Sequence, residues 1–181
     1  MTCGEGNCRR TFHAVISRIE IFIGLGSNLG NREASLALAR TALISEVGEV
    51  VRQSAIVETE PVGMDAGTPE FLNQVVGVRI MGDAQPQEIM SALLEIESVL
   101  GRKRIEGGFS SRTIDLDLLL WPGMECALPA AGEAPELTLP HPRLMQRLFS
   151  LGPLAEIAPE IQIPGASMSV EEAYEKLTQS R

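Results

Sequence analysis

Asp115 and Asp117 stand two residues apart in an otherwise apolar run, Ile114 to Trp121, and are the residues best placed to do chemistry. The run reads as a buried strand, on which residues two apart point to the same face. Two carboxylates emerging side by side from a greasy element repel each other, and burial drives them toward the neutral form. The pair therefore calls for a cation. A hard divalent ion held by a few carboxylates and by substrate phosphates meets that need, which describes a magnesium site. Two plainer readings stay open: an edge strand with a solvated polar face, or salt bridges to nearby arginine. Arg102, Lys103, Arg104 and Arg112 lie close upstream. Guanidinium groups bind phosphate oxygens two at a time, so the cluster reads as a phosphate clamp, or else as a solvated basic loop.

Bulk properties frame these residues. At 181 residues, 44% hydrophobic and 22% charged, the chain reads as one domain with a substantial core. No apolar run reaches the roughly 18 residues of a membrane helix. The first ten residues carry Cys3, Cys8, Arg9 and Arg10 where a signal peptide would be apolar, so a cytoplasmic protein is expected. Cys3, Cys8 and Cys126 match no zinc spacing. The net charge of −9 argues against a nucleic-acid surface but not against a small anionic ligand. Neither a nucleic acid nor a membrane is expected as partner, and a monomer or weak dimer is.

The positioning elements follow from periodicity. Ile19 to Leu25 reads as a first strand, and Gly26 to Asn31 as a turn in which Asn31 caps a helix over Arg32 to Leu43. A second strand is expected over about Val50 to Val57, a loop over Glu60 to Pro69, and a third strand over Phe71 to Ile80. Pro86 to Leu100 is the clearest helix, with a stripe of Ile89, Leu93, Ile96 and Leu100 and a stop at Gly101. A glycine-rich loop to Ser111 precedes the aspartate strand. A weak hairpin or insert is expected over Pro122 to Pro135. Pro140 should open a helical stretch to about Leu154, and a last helix should run from Val170 to Thr178. The order strand, helix, strand, strand, helix, strand predicts an α+β fold: a ferredoxin-like βαββαβ core, its antiparallel sheet packed by helices on its faces in three α/β/α layers. Residues 1–18 are expected to be an N-terminal extension and 19–181 the domain.

Four segments together carry a family resemblance. They are Gly26-Ser27-Asn28-Leu29-Gly30; Thr59-Glu60-Pro61-Val62-Gly63 with Phe71-Leu72-Asn73; Arg102 through Arg112-Thr113-Ile114-Asp115-Leu116-Asp117; and Pro140-His141-Pro142-Arg143 with Arg147-Leu148-Phe149. In that order and spacing they resemble 6-hydroxymethyl-7,8-dihydropterin pyrophosphokinase of the folate pathway, over roughly Ile19 to Pro164. The resemblance implies transfer of the β- and γ-phosphates of ATP together onto the pterin hydroxymethyl oxygen, with release of AMP. It implies two Mg2+ ions on Asp115 and Asp117, with Arg102 and Arg112 on the triphosphate. Glu97, Arg104, Ile114, His141 and Arg147 complete the implied ATP site. The implied pterin site comprises Thr59, Pro61, Val62, Phe71, Asn73, Phe109 and Phe149, while Gly26, Ser27 and Asn28 shape the end of the first strand beneath it. Read without the resemblance, Glu97 is a helix-surface carboxylate and each phenylalanine a core residue.

The chain departs from the family pattern in an N-terminal extension to Arg18 without counterpart, in a Glu60 loop one residue longer than the common pattern, and before the aspartate strand. Where Arg-Trp-Gly-Pro-Arg-Thr is common, this sequence has Gly108-Phe109-Ser110-Ser111-Arg112-Thr113. Two other functions stay open from residues alone: a non-enzymatic ferredoxin-like module with a structural metal, and a different magnesium-dependent phosphotransferase. The absence of a Walker A motif disfavours P-loop chemistry.

Overall fold

A computed structural model describes residues 18–61, 63, 67–81, 83–102 and 111–180. Cys3, Cys8 and the rest of the expected extension up to residue 17, together with Val62, Lys103, Arg104 and Phe109, lie outside the described residues.

The first strand, β1 (Arg18–Ser27), is longer than expected and buried along most of its length. Asn31 caps helix α1 (Arg32–Glu46) by accepting the Ala34 N–H at 3.1 Å. The next stretch differs from expectation. Instead of one strand it forms β2 (Glu49–Gln53) and β3 (Val57–Thr59), separated at Ser54. There the Ser54 N–H donates to Val75 O, while the Ser54 hydroxyl accepts the Val75 N–H, so a side chain takes over one rung of the ladder. Strand β4 (Phe71–Met81) and helix α2 (Pro86–Val99) match their patterns closely. The aspartate strand, β5 (Asp115–Leu120), is shorter than the apolar run.

β2, β4, β1 and β5 form an antiparallel sheet in that order, with β3 also paired to β4, so β5 is an edge strand. Side chains alternate between the two faces. Ile21, Ile23 and Leu25 of β1 pack with Val76, Val78, Leu116 and Leu118 against α1 and α2. Phe22, Val75, Leu119 and Leu120 face the other way. They meet α3 (Leu148–Ile157) and α4 (Val170–Gln179), which supply Leu151, Leu154, Val170 and Ala173. The sheet thus has helices on both faces.

The expected insert is a hairpin with a longer reach, β6 (Cys126–Leu128) pairing with β7 (Leu137–Leu139). The helical stretch expected from Pro140 is a 3-10 turn at Leu144–Gln146 and then α3, which begins only at Leu148. A two-residue ladder, β8 (Gln162–Ile163) with β9 (Met168–Ser169), precedes α4 and has no periodic signal in the sequence. Among the described residues no helix is long and apolar enough to cross a membrane.

Candidate active site

The register of the sheet assembles the site. Gly26 of β1 pairs with Asn73 on one side and Asp115 on the other, and Gly24 pairs with Asp117. Odd-numbered residues of β4 and β5 share the face of Val75 and Leu119, so Phe71, Asn73, Asp115 and Asp117 look toward the α3 layer. Gly26 leaves the floor between Asn73 and Asp115 bare, whereas the Leu119 side chain covers Gly24, where a Cβ would stand 3.2 Å from Leu119 Cδ1. A Cβ at Gly26 would stand 3.2 Å from Asn73 Oδ1 and 3.9 Å from both Asp115 Cβ and a Phe71 ring carbon. A strand glycine flanked in this way marks a place where something approaches the backbone closely.

Around the aspartates the charges are organised. Helix α2 ends at Gly101, whose φ of +85° suits the left-handed stop. The Arg102 N–H then folds back onto Glu97 O at 2.9 Å. This return brings the Arg102 guanidinium between the Glu97 and Asp115 carboxylates, donating to both. Arg112 donates to the other Asp115 oxygen at 2.7 Å and lies over the Phe71 ring, 5.9 Å from its centroid. Both plainer readings of the aspartates thus describe real features, an edge strand and arginine pairs, yet they leave Asp117 largely unpaired. Among the described residues its basic neighbours are Arg147, at ion-pair distance (3.6 Å), and the His141 imidazole at 4.0 Å, both beyond hydrogen-bond reach.

Glu97 is a correction to the surface placement. It is 1% exposed, and its carboxylate accepts the Leu116 N–H at 2.7 Å. β5 is an edge strand, so that N–H has no ladder partner on its outer side; Glu97 supplies one between the two aspartates. The Ile114 side chain is 0% exposed in the core, so only its backbone is available to a ligand.

Burial raises the Asp117 carboxyl from 3.8 to about 6, and the neighbouring Asp115 adds to the rise, while Arg147 opposes it. Its side chain keeps 32% exposure, so solvent tempers the penalty. Between those two pH values the folded state holds more protons than the unfolded chain. Asp117's contribution to stability is therefore full below 3.8 and lost as pH rises through about 6. Relative to Asp117→Asn, the ligand-free protein should lose thermal stability as pH rises from 5 to 7. Parallel melting profiles for the two proteins would contradict this electrostatic picture.

His141 moves oppositely, to about 4, through burial and then the Arg147 and Arg143 charges. It is neutral near pH 7. Its Nδ1 accepts the Arg143 N–H at 3.1 Å, which leaves the proton on Nε2, the atom facing Asp117. Its own N–H is bound to Leu119 O at 2.8 Å, anchoring the turn to the edge of β5.

Asn73 donates to the Thr59 hydroxyl at 2.8 Å, which fixes its amide beside the bare floor. Phe149 sits in the first turn of α3, with Arg147 5.3 Å from its ring centroid. Pro61 is half-buried beyond the end of β3. Sequence reasoning gave Gly26 and Asn28 only a shaping role, although a glycine on a buried strand was a visible signal.

The donor set suits magnesium in one specific way. Among the described residues no three or more His, Cys, Asp or Glu side chains are arranged to hold a metal ion, so those residues form no all-protein cage. Two carboxylates on one face match an ion completed by water and substrate phosphate oxygens. Arg112 Nε and Thr113 Oγ1 are buried with no hydrogen-bond partner among the described residues. An unsatisfied buried group costs about 1–3 kcal/mol, which an incoming anionic oxygen would offset.

The chain is similar to known proteins over most of its length. Residues 22–159 match the family model of 7,8-dihydro-6-hydroxymethylpterin-pyrophosphokinase. The 2-amino-4-hydroxy-6-hydroxymethyldihydropteridine pyrophosphokinase of Porphyromonas gingivalis is 39% identical over 77% of this chain and 90% of its own length. The Methylorubrum extorquens protein of the same name is 38% identical over 88% and 94%, and that of Bacillus subtilis 36% over 83% and 85%. Among solved structures, an HPPK-DHPS in complex with substrates superposes at a TM-score of 0.70 with 15% identity over 90% of this chain. The Plasmodium falciparum HPPK-DHPS with pteroate does so at 0.70 with 13% identity over 91%. This chain spans 44% and 43% of those two proteins, less than half of each.

Proposed function

The chain belongs to the 7,8-dihydro-6-hydroxymethylpterin-pyrophosphokinase family, and on that premise we propose that it transfers pyrophosphate from ATP to the hydroxymethyl group of 6-hydroxymethyl-7,8-dihydropterin, releasing AMP, in folate biosynthesis. One observation carries the chemistry: Asp115 and Asp117 share the face of a glycine floor with Arg102, Arg112 and Arg147 around them.

The hydroxymethyl oxygen attacks the β-phosphorus and releases its proton to solvent water. The bond from that phosphorus to the α–β bridging oxygen breaks, and AMP leaves with the oxygen. Little covalent work falls to the protein, so positioning and charge stabilisation dominate. Asp115 and Asp117 would hold Mg2+, two ions by the family resemblance, which when bound neutralises charge growing on the phosphate oxygens. Arg102, Arg112, Arg147 and neutral His141 supply donors to the same oxygens, with Arg104 a further candidate. Glu97 acts on the nucleotide side through Arg102 rather than by contact. The Ile114 backbone is the part of that residue left for the nucleotide. Asn73, backed by Thr59, would read the pterin edge, with Phe71 and Phe149 as apolar walls and Pro61, Val62 and Phe109 bordering it. We read residues 19–181 as one domain with a ferredoxin-like βαββαβ core, on the support of its strand order and antiparallel pairing.

Product analysis tests the reaction. AMP should form from ATP and magnesium only when the hydroxymethyl dihydropterin is present, in equal amount with the pterin diphosphate. ADP and phosphate would point to another phosphotransferase, and metal-dependent binding without turnover to a binding module.

A further inference from the structure

Asn28 is 2% exposed at the end of β1, and its carboxamide does no work in the reaction as derived above. Both polar atoms of that carboxamide, and the Asn28 N–H, are engaged with distant segments. Nδ2 donates to Pro69 O at 3.3 Å and to the Ser111 hydroxyl at 3.0 Å. Oδ1 accepts the Arg112 N–H at 2.7 Å, and the Asn28 N–H donates to Arg112 O at 3.2 Å. Two neighbours on the β1–α1 connection extend the pattern. The Ser27 hydroxyl donates to Thr113 O at 2.6 Å, and Arg32 donates to Glu70 O at 2.8 Å.

The two segments tied down here lead to opposite halves of the site. Pro69 and Glu70 run directly into Phe71 and Asn73. Ser111 to Thr113 run directly into Asp115 and carry Arg112. One amide with two donors and one acceptor thus spans both halves and is satisfied only when both backbones are in place. Displacing either segment leaves a buried polar group unpaired, so ordering one half favours order in the other.

We propose that the Asn28 carboxamide and the Ser111 hydroxyl form a positioning link through which occupancy of the pterin half strengthens binding at the phosphate half, and the reverse. This rests on the reading of the site as a pyrophosphokinase centre. The link has a thermodynamic signature, because coupling between two binding sites is reciprocal.

The test is a binding cycle with two unreactive probes. α,β-Methylene-ATP with magnesium lacks the oxygen bridge that must break, and 6-hydroxymethylpterin fills the pterin half. In the wild type each probe should raise the other's affinity by about tenfold. In Asn28→Ala each probe should still bind alone, with the mutual effect reduced to within about twofold of none. Asn28→Asp keeps the acceptor for the Arg112 N–H but loses both amide donors, and it should fail in the same way. Ser111→Ala, at a half-buried position, should lose much of the effect and decides the matter if Asn28→Ala does not fold. Variants that melt earlier yet keep the wild-type coupling would overturn the link and leave a structural amide. Wild-type protein that binds both probes independently also overturns it while sparing the proposed function. If the wild type binds neither probe, the functional reading fails and the link falls with it.

Discussion

Asp117→Ala should yield a folded protein that makes AMP on the order of 1,000-fold more slowly than the wild type, or worse. The fold should survive because Asp117 contributes little to it. Its contacts with Arg147 and His141 are 3.6 and 4.0 Å, too long for hydrogen bonds, and its ionised form is disfavoured by burial beside Asp115. Removing such a group at neutral pH relieves repulsion, so the melting temperature should hold or rise. Asp115 behaves differently. Its two oxygens hold Arg102 and Arg112. Asp115→Ala would strand the partly buried Arg112 and leave Arg102 with Glu97 alone, and a loss of activity there would mix chemistry with disorder. Asp117 is therefore the clean probe of ion binding. Steady-state AMP release, read beside a melting curve, gives the answer. A rate within tenfold of wild type would remove the metal assignment, and Asp117→Asn, which keeps the shape, should be equally inactive.

This asymmetry between two aspartates on one strand could not be read from their spacing. Spacing places both on one face, and that held. What separates them is the return of Arg102 after Gly101 and the entry of Arg147 from the turn before α3, both set by tertiary packing. Glu97 shows the same limit. Its position in α2 beside Ile96 suggests the solvent side of a helix, yet the N–H it satisfies belongs to Leu116, nineteen residues on. A charged side chain was buried because an edge strand lacked a partner, a need invisible along the helix itself.

The fold was legible where burial is uniform along an element. β1, β4 and α2 are covered or striped over most of their length, and their periodicity declares them. The split of β2 from β3 was not legible, since Val50 to Val57 reads as continuous strand and the break comes from Ser54 substituting its hydroxyl into the ladder with Val75. The start of α3 was obscured in another way. Its sequence carries Pro153 within ten residues and no side-chain cap, so neither boundary signal was present. Asn28 sat in a recognised motif, but its partners lie 41 and 83 residues away, and only the folded chain brings them together.

Gly26→Val should abolish activity by blocking the pterin half while leaving the protein folded and able to bind nucleotide. Valine suits a strand better than glycine does, so backbone propensity favours the change. The obstacle is the space above the strand. The first added carbon would already stand 3.2 Å from Asn73 Oδ1, closer than side chains normally sit, and two further methyls would spread toward Asp115 and Phe71. Asn73 has little room to yield, because its amide is held by Thr59 at 2.8 Å. The methyls would stand where a flat ring must lie to reach that amide. Pterin affinity should fall by on the order of 100-fold, about 2.7 kcal/mol. Gly26→Ala should fall between, since one carbon at that distance requires a shift of only a few tenths of an ångström. Titrating 6-hydroxymethylpterin and α,β-methylene-ATP separately against each variant distinguishes occlusion from unfolding: occlusion removes the first and spares the second. Equal pterin affinity for wild type and Gly26→Val would mean that the ring does not lie over this floor, and the pterin site would have to be sought elsewhere on the sheet.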